Sequence, residues 1–440
     1  MKVMIDGFNL GLDKGTGVAT YGRNLSRTVK AMGHEVGVLY GRGKPVKFKD
    51  PLLNEIAFFD AAGGTKRRLF EPTRLVLDAA LGPLGFRVDA VPATNAVLID
   101  SMKSVMPAYD QLWNSTHLYD HCDRTFNLFN KLGAVSLPGV DIAHWTYPLP
   151  IYAKNAANIY TFHDLVPLRL PHTTLDNKRK YLKLCKKLVD TADHIVTVSE
   201  TSRSDIINLL DADPQKVTNT YQSVSFPPHV LAKTEVQVQE ELAGTFNLQY
   251  KKYFLFFGAI EPKKNINRML EAYLGSGINN PLVIVGAPGW KNDEELRLLT
   301  ALKGLPKSAR SKKDRIIRLE YLPFSVLVSV IRGAKATFFP SLYEGFGLPV
   351  LESMALGTAV LTSNTSSLPE VAGDAACLID PYDTQAMTEA MRALDTNDAW
   401  RLGLEAKGRE QAKLFSEDAY AKRLQALYQN VMETKRKSAR

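Results

Sequence analysis

The chain has 440 residues, 45% hydrophobic and 23% charged, with a net charge of +9; that length exceeds one ordinary hydrophobic core and predicts a soluble protein of two domains. Three scattered cysteines, Cys122, Cys185 and Cys377, without a CxxC spacing, exclude a disulfide framework and a cysteine zinc site, and fit a reducing cytoplasm. No apolar run is long enough to span a bilayer, and the positive charge suits acidic partners such as nucleotide phosphates or an anionic membrane surface, as well as plain solubility.

The amino terminus, "MKVMIDGFNLG", reads as a strand and its turn, with no signal-peptide design. Further strands of the first half are predicted at 35–40, 141–145, 158–164, 194–199 and 216–221. Those of the second half fall at 253–258, 282–286, 316–322, 336–340, 359–363 and 376–380. Amphipathic helical patterns fill most of the gaps. The expected class is α/β, with two Rossmann-like, doubly wound parallel sheets covered by helices on both faces. The polar stretch 229–252 breaks the alternation and places a boundary near 240. Residues 1–240 then form a first domain, 241–415 a second, and 416–440 a final helix capped by Ser416, with "KRKSAR" fraying at its end. Residues 45–140 are an insertion rich in Leu, Pro and Ala, too long for a structureless loop and expected to hold helices of its own.

Ligands of open parallel sheets bind beyond the carboxyl ends of the strands, in the cleft between two such domains. The stretch "PSLYEGFGLPVLESMA" (340–355) lies at such an end. Gly345 and Gly347 allow a sharp turn and close backbone approach, and Pro349 suits a first helical position. The free amides and the positive helix end make an anion site suited to a pyrophosphate. Glu344 at the turn and Glu352 about one turn into the helix would face the same opening. Carboxylates accept from hydroxyls, so the pair suggests a sugar on either side of a diphosphate. The competing reading makes Glu344 a helix cap and Glu352 a solvated side chain.

Residues 340–383 closely resemble the donor-site region of retaining glycosyltransferases of family 4, which have the GT-B fold. Two glutamates separated by seven residues mark that family, and Glu344 and Glu352 fit. The resemblance continues in "FFGAIEPKKNINRMLEAY" (256–273), "IVGAPGW" (284–290), "YTFHDLVPLRLP" (160–171), "TVSETSRSDII" (197–207) and "GTGVATYGRNL" (15–25), sparing only 45–140. Within the family it is most similar to bacterial mannosyltransferase-like enzymes of surface-polysaccharide assembly.

The resemblance implies that Glu344 contacts the transferred sugar and Glu352 the ribose hydroxyls. Amides of Gly345, Phe346 and Gly347 would hold sugar and phosphate, with Gly258 and Leu348 on the donor side. Lys264 would bind the diphosphate and stabilise the departing nucleotide, with Lys263 assisting; fixed positive charge there opposes the negative charge built up on bond cleavage. Many relatives carry an arginine just after the strand-end glycine; here Ala259 follows Gly258. His163 would contact the donor sugar or align the leaving group, oriented by Asp164. Gly15 and Gly17 precede a helix and would face phosphate or acceptor from across the cleft, Gly17 being the stronger candidate. No carboxylate nucleophile is evident in the first domain, which favours front-face substitution with retention.

Other signals carry less. Ser199 reads as a helix cap with Ser202 nearby. The acidic "DAD" (211–213) reads as a helix end, and His117 and His121 at i, i+4 lack the Glu of HExxH, so no metal site is expected. In "NKRKYLKLCKKLVD" (177–190), Arg179, Lys180, Lys183, Lys186 and Lys187 share one helical face; this is a solvated face or an attraction to anionic lipid.

The expectation is therefore a retaining glycosyltransferase that needs no metal or other cofactor. It would move a hexose, mannose from GDP-mannose, onto a hydroxyl of a bacterial surface glycan or lipid-linked acceptor. It would work in the cytoplasm or at the cytoplasmic face of the inner membrane, without a nucleic-acid partner. The alternatives are a nucleotide-sugar epimerase or hydrolase of the same fold, and a non-catalytic sugar-nucleotide-binding protein. A dehydrogenase is disfavoured, because "KGTGVATY" is not GxGxxG.

Overall fold

A computed structural model describes residues 1–11, 17–43, 48–60, 79–94, 96–98, 106–287, 289, 295, 297 and 315–438. Among the described residues ten strands precede residue 220: β1 Lys2–Asp6, β2 Glu35–Tyr40, β3 Asp89–Val91, β4 Gln111–Asn114, β5 Gly133–Val135, β6 Ile142–Trp145, β7 Ile151–Ala153, β8 Ala157–Phe162, β9 His194–Thr197 and β10 Val217–Asn219. Six follow: β11 Phe254–Phe257, β12 Leu282–Val285, β13 Ile316–Leu319, β14 Ala336–Phe339, β15 Ala359–Ser363 and β16 Cys377–Ile379.

The first sheet runs β10-β9-β8-β6-β1-β2-β4-β3 and the second β13-β12-β11-β14-β15-β16. Every residue of β8 and β11 is buried, as helices on both faces of a parallel sheet require. The order reverses between β1 and β6 in the first sheet and between β11 and β14 in the second. At these points the loops leaving the strands diverge and open a crevice. The architecture is that of two Rossmann-like domains, as the alternation of elements implied.

Three features differ from expectation. The strand β3 pairs antiparallel with β4, so the first sheet is not wholly parallel. Both strands come from the insertion, which extends the sheet edge and also holds the helix Pro51–Phe59; β5 and β7 form a separate parallel pair. Several strands stop early: β8 ends at Phe162, leaving His163 and Asp164 in the following loop. Residue 240 lies inside the helix Glu235–Phe246, whose buried Val238 and Leu242 belong to the same hydrophobic cluster as β11.

The last helix, Glu417–Ser438, is helical through most of the segment expected to fray. Ser416 accepts from Ala419 N at 3.3 Å. Tyr420, Leu424, Leu427, Tyr428 and Val431 recur at helical spacing and are buried. Tyr428 reaches His144 of β6 at 2.7 Å, and Lys435 donates to Ala156 O beside β8 at 2.6 Å. The chain therefore completes its second domain and then closes onto its first.

Candidate active site

The loops leaving β11 and β14 flank the switch point of the second sheet. They are tied together: Leu342 N donates to Lys263 O at 2.7 Å, and the Asn265 side chain donates to Pro340 O at 3.0 Å and Pro381 O at 2.8 Å. Asn265 itself has φ of 59°, which ends the turn Pro262–Lys264 and starts the next helix. This bracing sets Lys264 Nζ 2.5 Å from Glu344 Oε1 and Lys263 Nζ 3.7 Å from Glu344 Oε2. Burial alone would raise the Glu344 pKa, but the charges of Lys264 and Lys263 outweigh it and hold it down at about 2. Lys263 is pushed upward in turn: burial opposes its charge, but Glu344, Asp164 and Glu261 surround it.

Beyond Glu344 the backbone turns at Gly347, whose φ of 106° is a left-handed value that favours glycine. The helix Leu348–Ala355 follows, with Pro349 at its second rather than its first position. Among the described residues no hydrogen bond engages the amides of Gly345, Phe346 or Gly347, which precede the helix. Glu352 is partly accessible but largely enclosed, and no described residue pairs with its carboxylate; burial pushes its pKa up to about 7. Ser366 and Ser367 brace the turn: Ser366 Oγ accepts from Glu344 N at 3.0 Å, and Ser367 Oγ lies 2.9 Å from Glu344 O and 2.8 Å from Phe346 O.

The first domain meets this turn directly. A Cβ on Gly345 would lie 2.4 Å from His163 O, so only glycine permits the approach. Ser202 Oγ sits 2.8 Å from His163 O and 3.3 Å from Gly345 O, bridging the domains. His163 Nε2 lies 3.0 Å from Thr146 O, and Tyr21 packs edge-on to its ring at 4.8 Å. Burial pulls the imidazole pKa down, against the Thr146 bond and the Asp164 charge, so it favours the neutral form.

Asp164 does not orient His163. Its Oδ1 accepts from Val166 N at 3.0 Å, turned back into its own loop because β8 has already ended, and its charge bears on Lys263. Thr146 O takes the expected role, and a backbone carbonyl has no signature in a sequence. Gly258 has φ of 136°, and its carbonyl fills the space where a Cβ on Gly286 would stand, 1.9 Å away. Gly17 begins the helix Gly17–Ala31 and is exposed, while Gly15 lies outside the described residues. Leu348 is the first residue of its helix.

Ser199 caps the helix Glu200–Leu210, accepting from Ser202 N at 3.0 Å. The same helix start is held from the second domain: Glu370 accepts from Glu200 N at 2.9 Å and Thr201 N at 3.1 Å. Tyr343 donates to Asp205, which also holds Arg169. The motif holding Glu370, "SSLPEV", carried no expected role.

Asp211 ends a helix in the left-handed conformation, and Asp213 accepts from Gln215 N. The rings of His117 and His121 stand 6.3 Å apart, and among the described residues no group of three or more His, Cys, Asp or Glu is placed to hold a metal. On the helix Lys178–Thr191, Lys180 pairs with Asp123 at 2.6 Å and Lys186 with Asp211 at 3.6 Å, while Arg179 and Lys183 are exposed. No described helix is long and apolar enough to cross a membrane.

Comparison with known proteins follows the same lines. Residues 239–413 match the family described as glycosyl transferases group 1. The chain is 34% identical over 266 residues to the O-antigen chain mannosyltransferase B of Escherichia coli, covering 59% of this chain and 66% of that protein. It is 29% identical over 284 residues to the serotype-specific mannosyltransferase WbdA of Escherichia coli, covering 62% of this chain and 33% of that one. It therefore spans just under two thirds of the first relative and a third of the second. In structure it is similar to the sucrose-phosphate synthase of Thermosynechococcus elongatus, with a TM-score of 0.66 at 16% identity over 99% of this chain and 100% of that one, a likeness of fold.

Proposed function

Starting from a chain whose residues 239–413 belong to the group 1 glycosyl transferases, we propose that it is a retaining mannosyltransferase acting on a nucleotide-sugar donor, GDP-mannose, and a glycan or lipid-linked acceptor of the O-antigen type. Mannose and the O-antigen setting rest on the names of its relatives, the O-antigen chain mannosyltransferase B and WbdA. The carrying observation is the cluster at the β11/β14 switch point: Lys264 and Lys263 beside Glu344, next to the amides of 345–347, with His163 facing them across the cleft.

The donor diphosphate takes the lysines and the amides. Glu344, released from Lys264, accepts from a hydroxyl of the sugar, and Glu352 accepts from the ribose. The acceptor oxygen forms its bond to the anomeric carbon on the face from which the diphosphate leaves. The bond from that carbon to the phosphate oxygen breaks with its electron pair, and the acceptor's proton passes to the departing phosphate. Two lysines and a helix start supply the positive charge that this departure needs, which supports a reaction without metal. Closure of the domains, already joined through Ser202 and Glu370, excludes water. The exposed cations Arg179 and Lys183 suit an anionic membrane surface, which would bring a lipid-linked acceptor to the cleft from the cytoplasmic side.

The test is transfer from GDP-mannose, with UDP- and TDP-sugars as competitors, in the presence of a chelator, with the product's anomeric configuration read by NMR. Retained configuration and undiminished rate are expected, with Glu344→Gln abolishing transfer while nucleotide still binds. Inverted product, a chelator-sensitive rate or fast donor turnover without acceptor would each overturn the part it addresses.

A further inference from the structure

The carboxyl ends of β1, β6 and β8 lie side by side in the first sheet, and each delivers one polar group to the same edge: Asp6, Thr146 and His163. Asp6 is fully buried, and no described cation pairs with it. Its Oδ2 accepts from Thr146 N, and its Oδ1 accepts from Phe8 N at 3.2 Å. Thr146, itself buried, offers its carbonyl to His163 Nε2 at 3.0 Å. A carbonyl can only accept, so the proton of a neutral His163 sits on Nε2, and Nδ1 is an acceptor.

A buried carboxylate without a cation is costly, and an apolar side chain at the end of β1 would avoid that cost. A carboxylate accepts roughly twice as strongly as a neutral group, and its two oxygens can serve donors on either side. Both properties are used here: one oxygen holds the amide of residue 146 while the other is anchored by Phe8 N. We infer that Asp6 is a positioning residue for His163: it fixes residue 146, whose carbonyl holds the imidazole in the tautomer that keeps Nδ1 available as an acceptor. Tyr21, edge-on to the ring, closes the other side. The inference rests on the proposed role of His163 in sugar transfer, but its structural half can be read without that role.

Asp6→Asn is the informative change. An amide has one acceptor oxygen, so it cannot serve both Thr146 N and Phe8 N and turns an NH2 group toward one of them. In the full chain labelled with 15N-histidine, with His163 assigned by the signals lost in His163→Gln, the wild type is expected to show a single Nε2–H tautomer. Asp6→Asn is expected to give both tautomers, with kcat for transfer about tenfold lower and donor KM changed less than about twofold. Asp6→Glu keeps the charge but displaces both oxygens by a methylene from Thr146 N and Phe8 N; it should act in the same direction, and it serves as the test if Asp6→Asn does not fold. A variant that melts lower yet keeps the single tautomer and the wild-type kcat would overturn the inference, leaving Asp6 a structural residue. Loss of the single tautomer in a protein whose wild type transfers no sugar would uphold the positioning and defeat the functional reading instead.

Discussion

Lys264 and Glu344 form an ion pair at 2.5 Å between the two loops that flank the β11/β14 switch point. The pair occupies the groups that the proposed donor needs, so donor binding is an exchange of partners: diphosphate for Glu344 at Lys264, and sugar hydroxyl for Lys264 at Glu344. Lys264→Met should lower kcat/KM by about a hundredfold or more, since the charge opposes leaving-group departure. It should also raise the Glu344 pKa from about 2, because burial persists with only Lys263 as counter-charge. Glu344 stabilises the wild-type fold above the ordinary glutamate value of 4.5, and that contribution is lost as pH falls toward about 2. The variant should lose it at higher pH, an acid-unfolding midpoint displaced upward in a circular-dichroism titration.

Glu352 is the opposite case. Its pKa is raised to about 7 by burial, with no partner among the described residues, so between 4.5 and about 7 the folded chain holds a proton that the unfolded chain has lost. Stability therefore falls as pH rises through that window, by on the order of 1–3 kcal/mol. Glu352→Gln should raise the melting temperature of the ligand-free protein at pH 8, leave it nearly unchanged at pH 5, and weaken nucleotide-sugar binding at both. An equal stability effect at the two pH values would show that the carboxylate is not strained by burial.

Much of this site was legible because charge stood out against apolar surroundings. Glu344, Glu352 and Lys264 follow or precede strongly hydrophobic strands, and a parallel-sheet protein places its chemistry at such ends. The missed strands β3, β5 and β7 have three residues each and β4 four, too few to show alternation, and β3 turns antiparallel where nothing local requires it. Thr146 escaped notice because it acts through its backbone. Asp164 follows His163 directly, and adjacency in sequence suggests contact, whereas the end of β8 turns the two side chains to different partners. Glu370 was unassigned because its partners, Glu200 and Thr201, lie about 170 residues earlier in the chain.

That long-range contact can be tested. Glu370→Ala removes two charge-assisted bonds from the start of the helix Glu200–Leu210 and should cost on the order of 1–3 kcal/mol of domain closure. The effect should appear as a larger radius of gyration by small-angle scattering and a several-fold rise in donor KM. Tyr343→Phe should act more weakly, because it removes one interdomain bond where Glu370→Ala removes two, and Asp205 remains paired with Arg169 at 2.9 Å. Unchanged scattering in Glu370→Ala would mean that Ser202 and the Gly345 contact suffice to hold the domains.

The last helix offers a prediction in which magnitude decides the outcome. Tyr428→Phe deletes one hydrogen bond to buried His144, which burial holds neutral with a pKa of about 3 and whose Nε2 keeps Thr161 at 2.9 Å. The cost is on the order of 1–3 kcal/mol, and the domain should still fold. Ending the chain at residue 416 removes Tyr420, Leu424, Leu427, Tyr428 and Val431 together, all buried. At about 1.5–3 kcal/mol for each large side chain, that loss matches or exceeds the roughly 5–15 kcal/mol that holds a domain folded. The truncated chain should therefore lose the first domain while the second still folds. Hydrogen exchange should be fast in β1, β6 and β8 and remain slow in β11 and β14, although the deleted segment follows the second domain in sequence. Equal protection of both sheets after truncation would show that the first domain is stable without the helix.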